Sequence, residues 1–237
     1  MLTVAADPGL VERQLKNGEL RCPRCEVGVL GGHGWVPTRW LRKTDGQMVL
    51  LKAHASAQEK ASGLIGDGLR RGRCKAAGCQ VSHVLAPPRM LARRLDEVTV
   101  IGAALQARAQ GLGYRRIAGR LGRVPQGEDA GWANEIAGVR RWVGRFTGNA
   151  GRLRAVFTAL VHRVDVSPPV MTFGGSLVAE AVSAVGEAVA AVRRLLGAVM
   201  PTLSPWQVAA AVCNGGLLAV VPPARLFSTS GHLSMIM

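Results

Sequence analysis

Four of the five cysteines stand in two close pairs, and this spacing constrains the fold more than any other feature of the chain. Two residues separate Cys22 from Cys25, and four residues separate Cys74 from Cys79. Two thiolates in one tight turn can bind the same metal ion, and two such turns that face each other complete a tetrahedron. The pairs therefore predict a structural zinc site with four thiolate ligands and no open position.

Other roles for these cysteines fit the sequence less well. The N-terminus has no basic segment followed by an apolar run, so we expect a cytoplasmic protein, and disulfides are rare in that compartment. A redox-active CxxC motif leaves the second pair unexplained. His83 lies four residues beyond Cys79 and is the alternative fourth ligand. Cys213 stands alone among apolar residues and is expected to be a small core residue.

The segment between the two pairs is expected to contain short strands. GWVPTRWLRK and QMVLLKAH have the β-branched and aromatic content of strands, whereas ASAQEKASGLIGDG predicts a loop or an insertion. Gly78 is expected to let the second cysteine turn bend sharply. Because this region offers little apolar core, we expect a bound metal to stabilise it. Residues 1–90 are thus predicted to form a zinc-ribbon-like β module.

The pattern beyond this module has a helical period. Apolar residues recur at three- and four-residue spacing from Val98 to Ala109, which predicts a helix that ends at the glycines after it. A short helix is predicted from Tyr114 to Leu121, and a third helix within WANEIAGVRRWVGRFTGN. This order is typical of a helix-turn-helix, although the connecting segment GRVPQGEDAG is longer than the usual turn. We interpret residues 91–165 as a helix-turn-helix DNA-binding domain.

The third of these helices has two chemically different faces. At 100° per residue its aliphatic and aromatic side chains fall in one stripe, and asparagine and arginine fall on the opposite side. Such an outer face suits a major groove, while the arginines of the short helix would reach phosphates. The residues predicted to contact DNA are Arg115, Arg116, Arg120, Asn134, Arg140, Arg141 and Arg145. The alternative is a solvated basic helix face in an arginine-rich chain.

The net charge favours a polyanionic partner. Thirty Lys and Arg side chains against fifteen Asp and Glu give a net charge of +15. Of these, 27 basic and 13 acidic side chains lie in residues 1–170, the part that holds the cysteine pairs and the predicted helix-turn-helix. Excess positive charge promotes nucleic-acid binding without specifying a fold. Double-stranded DNA is the partner we expect.

Residues 166–237 are predicted to form an Ala/Val-rich helical tail. Its clearest helix spans residues 176–198, with a broad apolar stripe and Ser176 at its N-cap. The stripe can pack on the preceding domain or on a second copy, so packing within the chain and a homodimer both remain open. Charged residues and prolines interrupt the apolar segments before they reach roughly 18–20 residues, so no membrane partner is expected.

Six short segments of this chain resemble a family of small proteins from high-GC bacteria: LKNGELRCPRC, GHGWVPTRWLR, RRGRCKAAGCQVSHVLAPPRML, GLGYRRIAGRLGR, VRRWVGRF and PWQVAAAVCNGGLLA. Members of that family combine a zinc-ribbon-like segment with a helix-turn-helix and are often encoded beside insertion-sequence transposases or integrases. The resemblance implies DNA binding in a mobile-element or regulatory setting, with a transposase or integrase as a further partner. The chain departs from the family in CKAAGC, where the family usually has CxxC.

No catalytic motif stands out in the sequence. It has no Walker-type phosphate loop, no G-x-S-x-G and no H-E-x-x-H. Asp45, Asp67 and Asp129 lie beside or near glycines, as turn residues do, and do not form an obvious two-metal nuclease site. We therefore expect no enzymatic activity.

Together these features predict an α+β chain, mainly α, with a zinc-ribbon-like module, a helix-turn-helix domain and a C-terminal helix. The favoured function is that of a sequence-specific DNA-binding regulator or a transposition accessory factor, associated with the nucleoid. A zinc-stabilised adaptor that recruits a recombinase or transposase is the alternative. A nuclease or recombinase with dispersed carboxylates is the third hypothesis.

Overall fold

The computed structural model describes residues 1–43, 45–91, 94–123, 131–165, 175–196, 203–213 and 215–218. Within them, helices hold more residues than strands do, so the predicted α+β class with mainly helical content is confirmed. The strands are β1 (Leu2–Thr3), β2 (Leu30–Trp35), β3 (Arg39–Arg42), β4 (Met48–Lys52), β5 (Ile65–Asp67), β6 (Arg70–Cys74) and β7 (Ser82–Ala86). The helices are α1 (Pro8–Asn17), α2 (Ala57–Ala61), α3 (Val98–Ala109), α4 (Tyr114–Arg120), α5 (Trp132–Val164), α6 (Leu177–Leu196) and α7 (Pro205–Val212).

These elements fall into two compact units. The first unit contains Met1–Glu97 together with Ala210–Gly216, and the second contains Val98–Ala209 together with residues 217 and 218. All seven of these strands belong to the first unit, and helices α3 to α6 belong to the second. The cysteine pairs and the predicted DNA-contacting arginines therefore lie in different units.

The larger sheet of the first unit has the strand order β1-β7-β6-β2. Strand β6 pairs antiparallel with both of its neighbours, and β1 pairs parallel with β7. Helix α1 packs over one face of this sheet and brings Leu15 to Gly72. The core between them consists of Leu2, Val4, Val11, Leu15, Leu20, Cys22, Leu30, Cys74 and Leu85. One cysteine of each pair is thus part of the core, so both cysteine turns are connected to the packing of the unit.

Helix α1 was not predicted, although both of its ends carry recognisable signals. Asp7 caps the helix by accepting a hydrogen bond from the Gly9 N–H at 2.8 Å, and Pro8 occupies the first turn. Gly18 ends the helix in the left-handed region, with φ of 70°. The sequence DPGLVERQLKNG therefore contained the start and the end of a helix.

The smaller sheet has the strand order β3-β4-β5, with β3 and β4 antiparallel and β4 and β5 parallel. The two segments predicted as strands, GWVPTRWLRK and QMVLLKAH, contain β3 and β4. One face of this sheet contributes to a second core, which consists of Leu41, Val49, Leu51, Leu69, Ala86 and Met90. Both sheets thus contribute apolar residues to this part of the first unit.

The segment ASAQEKASGLIGDG, for which the sequence predicts a loop or an insertion, contains α2 and β5, so the loop prediction is wrong. Ser56 and Glu59 form a capping box in which the Glu59 N–H donates to Ser56 Oγ at 3.2 Å and the Ser56 N–H donates to Glu59 Oε2 at 2.8 Å. The spacing S-x-x-E is a known helix-start signal, so α2 was readable. Strand β5 was not readable, because its pairing with β4 is non-local.

In the second unit, α3 and α4 begin and end close to the predicted positions. A four-residue turn connects them, and within it Gly111 adopts a φ of 86°. Helix α5 begins at the predicted tryptophan but continues to Val164, well beyond the predicted segment. The second half of α5 has the same amphipathic pattern as the first half. Its buried residues repeat at three- and four-residue spacing: Leu153, Val156, Phe157, Leu160 and Val161.

Helix α6 lies along α5 within the second unit. Ser176 caps it, as predicted, by accepting a hydrogen bond from the Ala179 N–H at 3.2 Å. An ion pair between Arg154 and Glu180 at 2.5 Å joins the two helices. The buried side chains of α6 are Val178, Ala181, Ala184, Val185, Ala188, Val189, Ala191 and Val192. The apolar stripe is therefore used within the chain, and a homodimer stays a prediction.

Candidate functional site

The two cysteine pairs meet in the first unit and form a cluster of four sulfur atoms. The Sγ atoms of Cys22 and Cys79 are 3.7 Å apart, those of Cys25 and Cys74 are 3.6 Å apart, and all four lie within 4.8 Å of one another. A disulfide would need about 2.0 Å, and the four thiols are free. Zn–S bonds of about 2.3 Å in a tetrahedron require S···S edges of about 3.8 Å. The four cysteines are therefore close enough to bind a metal ion.

Both cysteine turns share one feature of backbone conformation. The residue after the second cysteine of each pair has a positive φ, 62° at Glu26 and 47° at Gln80. The Glu26 N–H donates to the Cys22 carbonyl at 2.8 Å, and the Gln80 N–H donates to the Ala76 carbonyl at 3.2 Å. The expectation that Gly78 provides the bend was wrong, because its φ lies outside the left-handed region. Gln80 adopts that conformation in its place.

The protein environment gives the thiols of Cys22, Cys25 and Cys74 different pKa values. The Gly28 N–H donates to Cys25 Sγ at 3.4 Å and is the main reason why the pKa of Cys25 is lowered to about 6. Burial raises the pKa of Cys74 to about 12, and burial also raises the pKa of Cys22. A buried thiolate needs a compensating positive charge, which a metal ion supplies. The cluster is thus arranged to ionise together with metal binding.

His83 lies beside the cluster, next to one of its four sulfur atoms. Its Nε2 atom is 3.3 Å from Cys22 Sγ, and the residue is only 8 % exposed. Burial lowers the pKa of His83 to about 4, so its ring is neutral at pH 7. A neutral ring with its proton on Nε2 can donate a hydrogen bond to the Cys22 thiolate. The geometry favours four thiolate ligands with His83 as a hydrogen-bonding neighbour.

Gly28 permits the close approach of the two cysteine turns. A Cβ atom at this position would overlap Cys74 Sγ and would lie 2.8 Å from the Ala76 Cβ. We therefore expect Gly28→Ala to displace Cys74 and to weaken metal binding by at least tenfold, because ligand geometry determines the affinity of such sites. Competition with a chromophoric chelator measures this change.

Gly78→Ala is the matched control for this prediction. It lies in the second cysteine turn, nothing comes within 4 Å of its added Cβ, and its φ is outside the left-handed region. It should keep the metal affinity of the wild-type protein. Equal metal affinity in the two variants would contradict the assigned role of Gly28.

The second unit presents the predicted DNA-contacting side chains on its surface. All seven are exposed: Arg115, Arg116, Arg120, Asn134, Arg140, Arg141 and Arg145. Three of these side chains border an open depression. It is lined by the turn after α3 and by Arg115, Arg116 and Arg140. In the described part of the chain, no ion pair joins these six arginines to a carboxylate. Their charges are therefore available to an external anion.

Aromatic rings hold two of these arginines in place. The guanidinium carbon of Arg115 lies 4.9 Å from the centre of the Trp132 ring, and that of Arg140 lies 5.6 Å from the Tyr114 ring. Each pair joins α4 to α5. Cation–π contacts of this kind orient a guanidinium while leaving its N–H groups available for hydrogen bonds. These pairs were not predicted, because they depend on how the two helices pack.

The opposite side of α5 is buried, as its helical pattern predicted. Val139, Trp142, Val143 and Phe146 lie in the core of the second unit, and Ile136 is half-buried. The segment that connects α4 to α5, GRVPQGEDAG, lies largely outside the described residues. The helices and their faces thus agree with the pattern, and the conformation of the connection stays a prediction.

Comparisons with known proteins add no relative. No protein-family model, no curated protein and no solved structure matches this chain. In the described residues, no helix combines the length and the apolar character that crossing a membrane requires. The resemblance to zinc-ribbon and helix-turn-helix proteins therefore stays a prediction, and the candidate sites must be interpreted from their own chemistry.

Proposed function

We propose that this protein binds double-stranded DNA sequence-specifically and contains a structural zinc ion. The observation that supports this most directly is the α4–α5 surface, where exposed arginines and one asparagine lie opposite a buried apolar face. Aromatic rings orient two of these arginines, Arg115 and Arg140. A helix face that is only solvated does not require such contacts. The net charge of +15 supports the same partner.

The side chains divide into two roles in this proposal. Asn134, Arg141 and Arg145 lie on the outer face of α5 and would contact base edges in a major groove, because arginine pairs with guanine and asparagine with adenine. Arg115, Arg116, Arg120 and Arg140 would contact phosphates on either side and set the register of the helix on the duplex.

The proposed ion is zinc, held by Cys22, Cys25, Cys74 and Cys79. Thiolate ligands in a tetrahedral arrangement favour zinc over the harder divalent cations. A site closed by four protein ligands has no position for a substrate or a reactive water, so its role is structural. It would join two turns that are distant in the sequence and stabilise a unit with two small cores.

We place this activity in regulation or in transposition, as an accessory factor that acts in the nucleoid and without catalysis. The adaptor hypothesis relied on the apolar stripe of α6, and that stripe packs on α5. No specific observation therefore favours the adaptor over DNA binding. A transposase or integrase partner stays a prediction of the resemblance.

Two variants and one binding assay test this proposal. Selection of purified, zinc-loaded protein on a random duplex library should enrich one sequence motif. Arg141→Ala should then cost about 1–3 kcal/mol on that motif and relax the preference at one base position. Arg115→Ala should weaken binding to all sequences by a similar factor, because its contact is to a phosphate. Fluorescence anisotropy on the selected and scrambled duplexes measures both effects.

Arg13→Ala serves as the control, because it removes one exposed charge from α1 in the other unit. It should leave affinity and base preference close to wild type. If Arg141→Ala and Arg115→Ala weaken every duplex equally, the assignment of α5 as a recognition helix fails. If no motif is enriched, sequence-specific binding fails.

A further inference from the structure

A row of three basic side chains stands on the face of the larger sheet opposite α1. Arg71, Arg73 and Lys75 alternate along β6 and just beyond it, and all three are exposed. The intervening Gly72 and Cys74 point to the opposite face, which α1 covers. This row, the cationic sheet face, is therefore a consequence of side-chain alternation on β6, one of the two inner strands of the sheet.

The residues next to Arg73 and Lys75 on the neighbouring strands are small. Across the sheet, Arg73 is opposite Gly31 on β2 and opposite Ser82 on β7. A Cβ at Gly31 would lie 2.6 Å from the Lys75 Cε atom, so the lysine stem lies directly over the glycine backbone. Bulky residues on β2 would lift the lysine away from the sheet. Arg71 is opposite the half-buried Val84 on β7, which packs against the second core, and all three cations remain exposed.

The charges of the cationic sheet face have no counter-ion in the described part of the chain. No ion pair is formed there by Arg71, Arg73 or Lys75. Arg73 instead donates from Nη2 to Gln80 Oε1 at 2.8 Å and from Nε to the Gln80 carbonyl at 3.2 Å. Because Gln80 follows a cysteine of the metal site, the second cysteine turn also positions Arg73. An open depression continues the surface past Gly32, His33 and Lys75.

We propose that the cationic sheet face binds the phosphate backbone of the same DNA that the α4–α5 surface reads. This inference rests on the proposed function, and it assigns a second, non-specific contact to the first unit. Side chains two residues apart on an antiparallel strand are about 6.8 Å apart. That spacing is comparable with the distance between successive phosphates of one nucleic-acid strand. In the described residues of this face there is no Phe, Tyr or Trp ring for base stacking, so it contacts the backbone and leaves base readout to the other unit.

The test removes two charges and leaves the metal site intact. In the full-length, zinc-loaded protein, Arg71→Gln/Lys75→Gln retains Arg73 and its hydrogen bonds to Gln80. Each lost phosphate contact should reduce the slope of log Kd against log salt concentration by about 0.9, so the double variant should lose about 2. The motif enriched from the duplex library should not change. Metal content and thermal unfolding confirm that the variant is folded.

Arg13→Gln/Lys16→Gln is the matched control, because it removes two exposed charges from α1, the helix that covers the opposite face of the sheet. Its salt slope should equal that of the wild-type protein. Equal slopes for both double variants and the wild type would overturn the proposed contact, as would equal losses in both double variants.

The failure of this inference and the failure of the proposed function give different results. If the double variant on β6 keeps the wild-type slope while Arg141→Ala relaxes base preference, only the cationic sheet face is overturned. If the double variant loses slope while Arg141→Ala and Arg115→Ala behave as wild type, the sheet face is supported and the α4–α5 assignment is overturned. If the wild-type protein binds no duplex at low salt, both are overturned.

Discussion

Cys74→Ser is expected to abolish zinc binding and to unfold the first unit. Cys74 is 2 % exposed and lies at the end of β6, so its loss removes a ligand and also leaves a polar group in the core. Structural zinc supplies roughly 10–16 kcal/mol of apparent binding free energy in small zinc-binding peptides. That is comparable with the whole unfolding free energy of a typical domain, about 5–15 kcal/mol. Elemental analysis and circular dichroism of the purified variant measure both losses.

Cys213→Ala is the matched control for this variant, because Cys213 is also a buried cysteine but lies outside the sulfur cluster. It should retain one zinc ion per chain. His83→Gln should also retain zinc, and its cobalt-substituted form should keep the absorption bands of a four-thiolate site. Zinc retained by Cys74→Ser, or lost from His83→Gln, would contradict the ligand set Cys22, Cys25, Cys74 and Cys79.

Gly102→Ala is expected to destabilise the second unit by about 2–4 kcal/mol. A Cβ atom on Gly102 would overlap the indole ring of Trp206, which is 5 % exposed and packs edge-to-face on Phe146 with ring centroids 6.5 Å apart. Displacing a buried tryptophan costs about 3–5 kcal/mol, and the better helix propensity of alanine offsets about 1 kcal/mol of this. Denaturant unfolding followed by circular dichroism measures the difference from wild type.

Gly144→Ala, in the same unit, is expected to increase the stability. Gly144 is an exposed residue inside α5, and nothing lies within 4 Å of its added Cβ. Alanine should therefore stabilise this helix by about 0.5–1 kcal/mol through its backbone propensity alone. Equal free energies of unfolding for Gly102→Ala and Gly144→Ala would contradict the close packing of Trp206 against α3.

Local patterns predicted the features that depend on a few neighbouring residues. The cysteine spacing predicted that four sulfur atoms meet in one cluster, and helical periodicity predicted which face of α5 is buried, because side chains repeat regularly along a helix. Two helices with clear local signals, α1 with Asp7 and Gly18 at its ends and α2 with its Ser56–Glu59 capping box, were present in the sequence but not predicted.

The sequence by itself determined the two cysteine pairs, the helix faces and the excess of positive charge, because each of these depends on residue identity and short-range spacing. Tertiary structure alone decided that Cys25 meets Cys74 and that Arg115 stacks on Trp132. It also decided that Arg71, Arg73 and Lys75 form one exposed row on the larger sheet. The Cys25–Cys74 and Arg115–Trp132 contacts join residues that are distant in the sequence. They form only when whole strands and helices pack together, because the burial of the apolar core depends on the entire chain and not on neighbouring residues.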